Sequence, residues 1–189
     1  FLNPDYTKDI HDPFLFRDMR KAVARLRAAI ERQEKITIHG DYDADGVSAA
    51  TILFTTLKAL GATVDAYLPH REKEGYGVNM NTVEYLAKEG TRLIVTCDCG
   101  ISNGAEIARA KELGIETIVT DHHTVPAELP PAAAILHPLV SRETYPFQWL
   151  TGGGVAFKLA QALFLEDQKN EKKLPQGFDK WLLDCAAIA

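Results

Sequence analysis

The sequence predicts an α/β fold with an open, mostly parallel, doubly wound sheet that carries helices on both faces. Two observations predict it: strand-like and helix-like segments alternate along the chain, and glycines close the helical segments. Strands joined by helical crossovers run parallel, so the sheet is expected to be parallel as well. A chain of 189 residues with 46% apolar residues suffices for one such core, and we expect residues 1–189 to form a single domain.

The elements follow in a regular order. Apolar residues at helical spacing predict a first helix within residues 14–33. Strands are predicted at 35–39, 63–68, 92–97, 116–120 and 133–136. Helices are predicted at 47–60, 81–89, 104–113, 153–166 and from 178 onward, the first three ending at Gly61, Gly90 and Gly114. The charged segment 166–177 is expected to be a solvated loop.

Composition narrows the class of protein. The net charge of −5 argues against a chain that holds nucleic acid by a basic surface of its own. No segment has the pattern of a membrane span or a signal peptide. Cys97, Cys99 and Cys185 lack the spacing of a zinc or redox site, which favours small buried thiols in a reducing, cytoplasmic compartment. The chain starts without Met and stops inside an apolar segment, so we expect a piece of a longer protein.

Polar residues follow three of the predicted strands at their carboxyl ends. Ligands of open parallel sheets bind at this edge, so these residues are expected to lie together. The first strand leads into His39, Asp41, Asp43 and Asp45, the third into Asp98, and the fourth into Asp121, His122 and His123.

The aspartate motif after the first strand begins like an EF-hand loop. The twelfth position is Ile52 rather than a bidentate Glu, and a strand precedes the motif, so an EF-hand is excluded. Asp residues are common in turns, but three at alternate positions repel one another, and bound cations would offset that cost. Asp98 alone would indicate a helix cap or turn, and its place at the same edge adds it to the group. Asp184 lies on an otherwise apolar helical stretch, and the sequence pattern alone does not favour a metal ligand there over a helix-surface carboxylate.

A run of glycines opens the helix predicted at 153–166. Gly152, Gly153 and Gly154 would let backbone N–H groups face an anion at the helix N-terminus. A tight turn against the sheet explains the glycines equally well. The run lacks the ending of a Walker A loop, and no Rossmann fingerprint follows the first strand.

Taken together and in this order, these residues resemble the DHH phosphoesterase superfamily. The resemblance runs through His39, Asp43, Asp45, Asp98, Asp121, His122, His123 and Asp184. Segments 40–46 and 152–158, and Arg71 followed by Gly75-Tyr76-Gly77, resemble the branch that degrades single-stranded DNA. His137 departs from that branch because it stands before Pro138 where Asn is expected.

The resemblance implies a two-metal hydrolase that removes mononucleotides from the 5′ end of single-stranded DNA in recombination and repair. It implies two manganese ions, with magnesium as an alternative, held by His39, Asp43, Asp45, Asp98, His122 and Asp184. Two such ions would activate water for in-line attack on a phosphodiester. We expect Asp98 to be shared by both ions and His123 to contact the phosphate or the leaving oxygen.

The remaining roles concern orientation and substrate. Asp41 is expected to support catalysis by orienting its loop, and Asp121 by orienting an imidazole. Substrate contacts are expected from Arg71, Tyr76, Gly152, Gly153 and Gly154. Single-stranded DNA would be gripped mainly by a second catalytic subdomain and a nucleic-acid-binding domain outside residues 1–189. These expectations follow from the resemblance.

Two alternatives remain open. The chain could belong to another DHH enzyme that cleaves short oligoribonucleotides, cyclic dinucleotides or pyrophosphate with the same site chemistry. It could also be a non-catalytic DHH relative that serves as a replication scaffold. Such a scaffold should have lost ligands, whereas every expected ligand type is present in this sequence.

Overall fold

The computed structural model describes residues 3, 5, 6 and 8–189, and its centre is a parallel sheet of five strands. The strands are β1 (Ile36–Gly40), β2 (Val64–Tyr67), β3 (Leu93–Cys97), β4 (Glu116–Thr120) and β5 (Ala134–Leu136). They lie in the order β2-β1-β3-β4-β5, and every neighbouring pair is parallel. The predicted fold class is therefore confirmed.

Helices connect the strands and follow the sheet. They are α1 (Met19–Glu31), α2 (Ala44–Ala59), α3 (Arg71–Glu74), α4 (Met80–Lys88), α5 (Gly104–Glu112), α6 (Gly152–Lys169), α7 (Phe178–Trp181) and α8 (Leu183–Ile188), and a 3-10 turn (Pro13–Leu15) precedes α1. None of the helices in the described part of the chain has both the length and the apolar composition needed to cross a membrane.

The sheet is covered on both faces, and alternate residues of β3 show this. Leu93, Val95 and Cys97 belong to the large core that includes residues of α1, α2 and α6. Ile94, between them, belongs to a smaller cluster with residues of α4 and α5. Because successive side chains of a strand point to opposite faces, each strand supplies both layers. Burial on both faces is what a parallel sheet requires.

Several helices differ from the predictions by more than one residue, and the helix predicted from 178 onward is divided into α7 and α8. The first helix begins only at Met19, because Phe16 has extended backbone angles and separates α1 from the 3-10 turn. The second begins at Ala44, three residues early, because Asp43 caps its N-terminus. The helix predicted at 153–166 corresponds to α6, which continues to Lys169, so the expected loop at 166–177 is partly helical. The short α3 was not predicted.

The strand order places a crevice beside β1. The chain passes from β1 to β2 on one side and then returns to β3 on the other side. In open parallel sheets such a reversal leaves a crevice at the carboxyl ends of the two strands, where ligands bind. The residues that follow β1 and β3 are therefore placed at the ligand edge by topology alone.

Lys158 is a cation buried within α6, with 4% of its surface exposed. Its Nζ donates hydrogen bonds to the carbonyl oxygen of His11 at 2.7 Å and to Oε1 of Gln161 at 2.9 Å. Both acceptors are neutral, and burial lowers the pKa of Lys158 to about 8. The contact ties the segment before the 3-10 turn to α6, at the cost of a buried charge.

We expect the unfolding free energy of the chain to rise, relative to that of Lys158→Met, as pH increases from about 8 to about 10.5. In this window the folded chain has released the Lys158 proton and the unfolded chain still binds it, so proton loss favours the folded state. The gain should be on the order of 2–3 kcal/mol. Urea unfolding of both proteins at the two pH values measures it, and the difference between them cancels the titration of tyrosines. A difference that does not change with pH would contradict the buried charge.

Candidate metal centre

The loop between β1 and α2 is folded tightly around the aspartate motif. Oδ1 of Asp43 accepts a hydrogen bond from the backbone N–H of Gly46 at 2.9 Å, which caps α2. A Cβ at Gly46 would lie 2.6 Å from the backbone nitrogen of Asp41, so only glycine allows this approach. Asp41 is buried, and burial raises the pKa of its carboxyl group above the usual value. The motif thus brings Asp41 and Asp43 to the ligand edge.

Asp98 follows β3 in a left-handed backbone conformation, with φ of +60°. Asp and Asn tolerate this conformation better than other side chains, although it remains a strained position. The backbone N–H of Asp98 donates to the carbonyl oxygen of Thr120, which ties the residue to the end of β4. Only 2% of Asp98 is exposed, and burial, with the nearby carboxylate of Asp45, raises the pKa of Asp98 to about 6. The side chain is held in the crevice at a cost to the metal-free protein.

Asp121 organises the turn that follows β4. Its Oδ1 accepts the backbone N–H groups of His122 at 2.7 Å and His123 at 3.2 Å. Its Oδ2 accepts the N–H of Ile101 at 2.9 Å, which joins this turn to the loop after β3. Asp121 is completely buried. Its carboxylate therefore holds the backbone that carries both histidines, and its orienting role in catalysis stays a prediction.

The two histidines face the buried carboxylates. Nε2 of His122 lies 3.1 Å from Oδ1 of Asp98 and 3.5 Å from Oδ2 of Asp45. Its hydrogen bond with Asp98 raises the pKa of His122. Nδ1 of His123 lies 2.7 Å from Oδ1 of Asp121. One histidine thus points between two carboxylates, while the other is oriented by a third.

Two groups of side chains have the spacing of metal ligands. Asp41, Asp43 and Asp98 form one group, and Asp98, His122 and His123 form the other; within each group the ligand atoms lie within 4.8 Å of one another. Asp98 belongs to both groups. The arrangement could hold two cations on either side of one carboxylate.

The donor atoms present fit divalent cations. Oδ1 of Asp41 and Nε2 of His39 are buried, and neither has a hydrogen-bond partner among the described residues. Unpaired buried polar atoms are costly unless a ligand satisfies them.

Burial lowers the pKa of His39 to about 4, so its imidazole is neutral, the form that binds metals. However, the ring of His39 stacks on Tyr67 and lies outside both ligand groups in the described part of the chain.

Asp45 is engaged by α6 rather than left open in the crevice. Its carboxylate oxygens accept the N–H of Gly152 at 2.8 Å and of Gly153 at 2.5 Å. The N–H of Gly154 donates to Oγ1 of Thr151 at 3.1 Å. All three N–H groups expected to bind an anion therefore have protein acceptors. A Cβ at Gly152 would lie 2.5 Å from the side chain of Asp98, so the structure favours close packing as the reason for the glycines.

Three other residues were predicted to belong to the site, and the structure places two of them near the crevice and one outside both ligand groups. Arg71 is exposed at the start of α3, with its guanidinium 5.2 Å from the ring centre of Tyr42 beside the aspartate motif. Tyr76 reaches the site through its hydroxyl group, 3.0 Å from Nδ1 of His123. Asp184 is exposed on α8 and belongs to neither ligand group in the described residues. Its assignment as a ligand stays a prediction.

His137 supports the site in a way that sequence reasoning did not assign. It is completely buried, and its Nε2 lies 2.8 Å from the carbonyl oxygen of His123. Its Nδ1 accepts the N–H of Leu139 at 3.1 Å, so Nε2 carries the proton and donates it. Burial lowers the pKa of His137, which keeps this neutral form. The departure from the expected Asn was the only sequence signal at this position.

Comparison with known proteins identifies the family. The model of the DHH family, N-terminal domain, matches residues 35–189. The single-stranded-DNA-specific exonuclease RecJ of Bacillus subtilis (strain 168) is 48% identical over 180 residues, which are 95% of this chain and 22% of that protein. The chain thus spans about a fifth of this relative's length.

Solved structures agree with the sequence comparison. A crystal structure of exonuclease RecJ bound to manganese has a TM-score of 0.79 and 41% identity, over 91% of this chain and 42% of that one. The structure of RecJ in complex with Mn²⁺ from Thermus thermophilus has a TM-score of 0.74 and 37% identity, over 91% of this chain and 23% of that one. Sequence, fold and the three strand-end motifs lead to one conclusion: this chain belongs to the DHH family.

Proposed function

We propose that the chain is the metal-binding catalytic part of a 5′-to-3′ exonuclease that hydrolyses single-stranded DNA to mononucleotides in recombination and repair. One observation carries the proposal: Asp98 is common to two groups of side chains with metal-ligand spacing, at the crevice where the strand order reverses. Its similarity to RecJ exonucleases, two of them solved with manganese, supports this choice of substrate and metal.

The proposed cofactor is a pair of divalent cations, manganese in preference to magnesium. Imidazole nitrogen suits manganese better than magnesium, which prefers oxygen ligands and keeps its waters. The proposed ligands are His39, Asp43, Asp45, Asp98, His122 and Asp184. When bound, such ions lower the pKa of a coordinated water and stabilise charge on phosphoryl oxygens. Asp98 would be the carboxylate that both ions share.

The protein's own groups prepare the reaction. Asp121 holds Nδ1 of His123 at 2.7 Å, which fixes the proton on Nδ1 and leaves Nε2 for the substrate. Nε2 can then donate a proton, when it is charged, to a phosphate or leaving oxygen. Asp41 would orient the motif loop, in which its backbone packs closely against Gly46. The half-exposed ring of Tyr76 and the exposed Arg71 border the crevice and would contact the strand.

We also propose that the main grip on DNA lies in other parts of a longer cytoplasmic protein. The net charge of −5 and the exposed acidic groups of this chain make it a poor phosphate-binding surface. The relatives it matches are several times longer, which leaves room for a second catalytic subdomain and a nucleic-acid-binding domain.

The test is manganese-dependent release of mononucleotides from long single-stranded DNA labelled at the 5′ end. We expect labelled mononucleotide as the first product from this DNA, and a ladder of shortening fragments from the same DNA labelled at the 3′ end. A dinucleotide and pyrophosphate are run in parallel, and EDTA is the control for metal dependence. Cleavage of the small substrates alone would transfer the chain to another DHH activity, and no cleavage of any of them would contradict the proposal for this chain.

A further inference from the structure

Tyr76 stands on a loop that lies against the metal centre, where its hydroxyl group contacts His123. Gly75 and Gly77, on either side of it, have φ values of +76° and +79°, which side chains other than glycine rarely adopt. The pair turns the chain sharply before and after the tyrosine. The Gly-Tyr-Gly sequence therefore directs the side chain of Tyr76 toward the site.

Asn103 clamps the same loop. Its Nδ2 donates to the carbonyl oxygen of Val78 at 2.9 Å, and its Oδ1 accepts the N–H of Val78 at 3.3 Å. Asn103 stands at the N-cap of α5, yet its side chain makes no capping bond there. The side chain of Asn103 therefore binds the loop at Val78 instead of capping α5. A Cβ at Gly77 would approach Oδ1 of Asn103 to 2.9 Å, which shows how close the clamp is.

The hydroxyl group of Tyr76 meets two other loops at one point. It donates to the carbonyl oxygen of Asp98 at 3.2 Å, and it lies 3.0 Å from Nδ1 of His123. Because the hydroxyl proton goes to Asp98, the hydroxyl oxygen accepts from the Nδ1–H of His123, a single proton that it shares with Oδ1 of Asp121 in a three-centre hydrogen bond. The ring of Tyr76 meets that of His123 edge to face, at 5.4 Å between centres.

We infer that Tyr76 is a positioning residue whose hydroxyl group fixes the ring of His123 relative to the backbone of Asp98. Asp121 holds the imidazole at one acceptor, and the hydroxyl group and ring of Tyr76 add a second acceptor and an edge-to-face contact that restrict its rotation. The hydrogen bond from Tyr76 also satisfies the backbone carbonyl oxygen of Asp98, a residue in a left-handed conformation. Since 48% of Tyr76 is exposed at the crevice, a substrate that touches its ring acts on both catalytic loops. The catalytic part of this inference rests on the proposed function.

Tyr76→Phe separates the hydroxyl group from the ring. We expect kcat on single-stranded DNA to fall on the order of tenfold to a hundredfold with KM unchanged, because orientation is lost while the apolar contact remains. Tyr85→Phe is the matched control, since Tyr85 is half exposed on α4 against Tyr67 and should leave kcat unchanged.

A second readout does not depend on activity. In the nuclear magnetic resonance spectrum of the metal-free chain, the Nδ1 proton of His123 should exchange slowly with water, and several-fold faster in Tyr76→Phe. The signal is assigned by its loss in His123→Gln. An exchange rate equal to that of the wild type, or a kcat within twofold of it, would overturn the inference. A wild-type chain without activity would defeat the proposed function instead, and the exchange rate would still decide the role of Tyr76.

Discussion

Replacement of Asp98 by Asn should abolish manganese-dependent cleavage of DNA while the fold remains intact. The loss of turnover should be at least on the order of a thousandfold, because one substitution removes the carboxylate common to both ligand groups. Asn matches Asp in shape and tolerates the φ of +60° at this position, whereas Ala would add backbone strain. Single-turnover cleavage measures the rate, and circular dichroism checks the fold.

Asp65→Asn is the matched control for this substitution. Asp65 is an exposed carboxylate on β2 whose partner is Lys35, at 3.2 Å, and it takes no part in the metal centre. The control removes the same charge by the same chemical change and should retain full activity. Turnover of Asp98→Asn close to that of the control would refute the shared-carboxylate assignment.

The fold was predictable because its signals are local. Each predicted strand overlaps an observed one within two residues at either end, since glycines at 61, 90 and 114 end the helices and set off the strands that follow. The start of α2 was missed because Asp43 and Gly46 are typical of a turn as well as of a capped helix. The short α3, within an exposed charged segment, has no periodic apolar pattern to indicate it.

The site was predictable only where strand ends determine it. The residues after β1, β3 and β4 meet because the sheet is parallel, and no other knowledge is needed to bring Asp98 close to His122. The contacts of Asp45 with Gly152 and Gly153 cross more than a hundred residues, and no spacing rule connects them. The exposed position of Asp184 likewise depends on packing that the sequence pattern does not specify.

Manganese should raise the melting temperature of the chain, and Asp98→Asn should remove this effect. A ligand that binds only the folded state adds about 2.7 kcal/mol of stability at a hundred times its dissociation constant. For a domain of this size that corresponds to a rise of about 5–10 °C. Differential scanning calorimetry with added manganese, and then with EDTA, measures the shift in both proteins.

Without metal and above pH 6, Asp98→Asn should be more stable than the wild type. The folded-state pKa of Asp98 is raised to about 6 from 3.8, so between these values the folded chain binds more protons than the unfolded chain, and stability falls as pH rises. The raised pKa of His122 acts in the same direction, because stability from its pairing with Asp98 is lost as pH rises through that pKa. Asp98→Asn lacks both effects and should melt higher than the wild type at about pH 7.5, with the difference shrinking toward pH 4. If the metal-free wild type had a higher melting temperature than Asp98→Asn at pH 7.5, Asp98 would stabilise the fold by itself. That result would contradict a carboxylate whose burial is offset only by a bound cation.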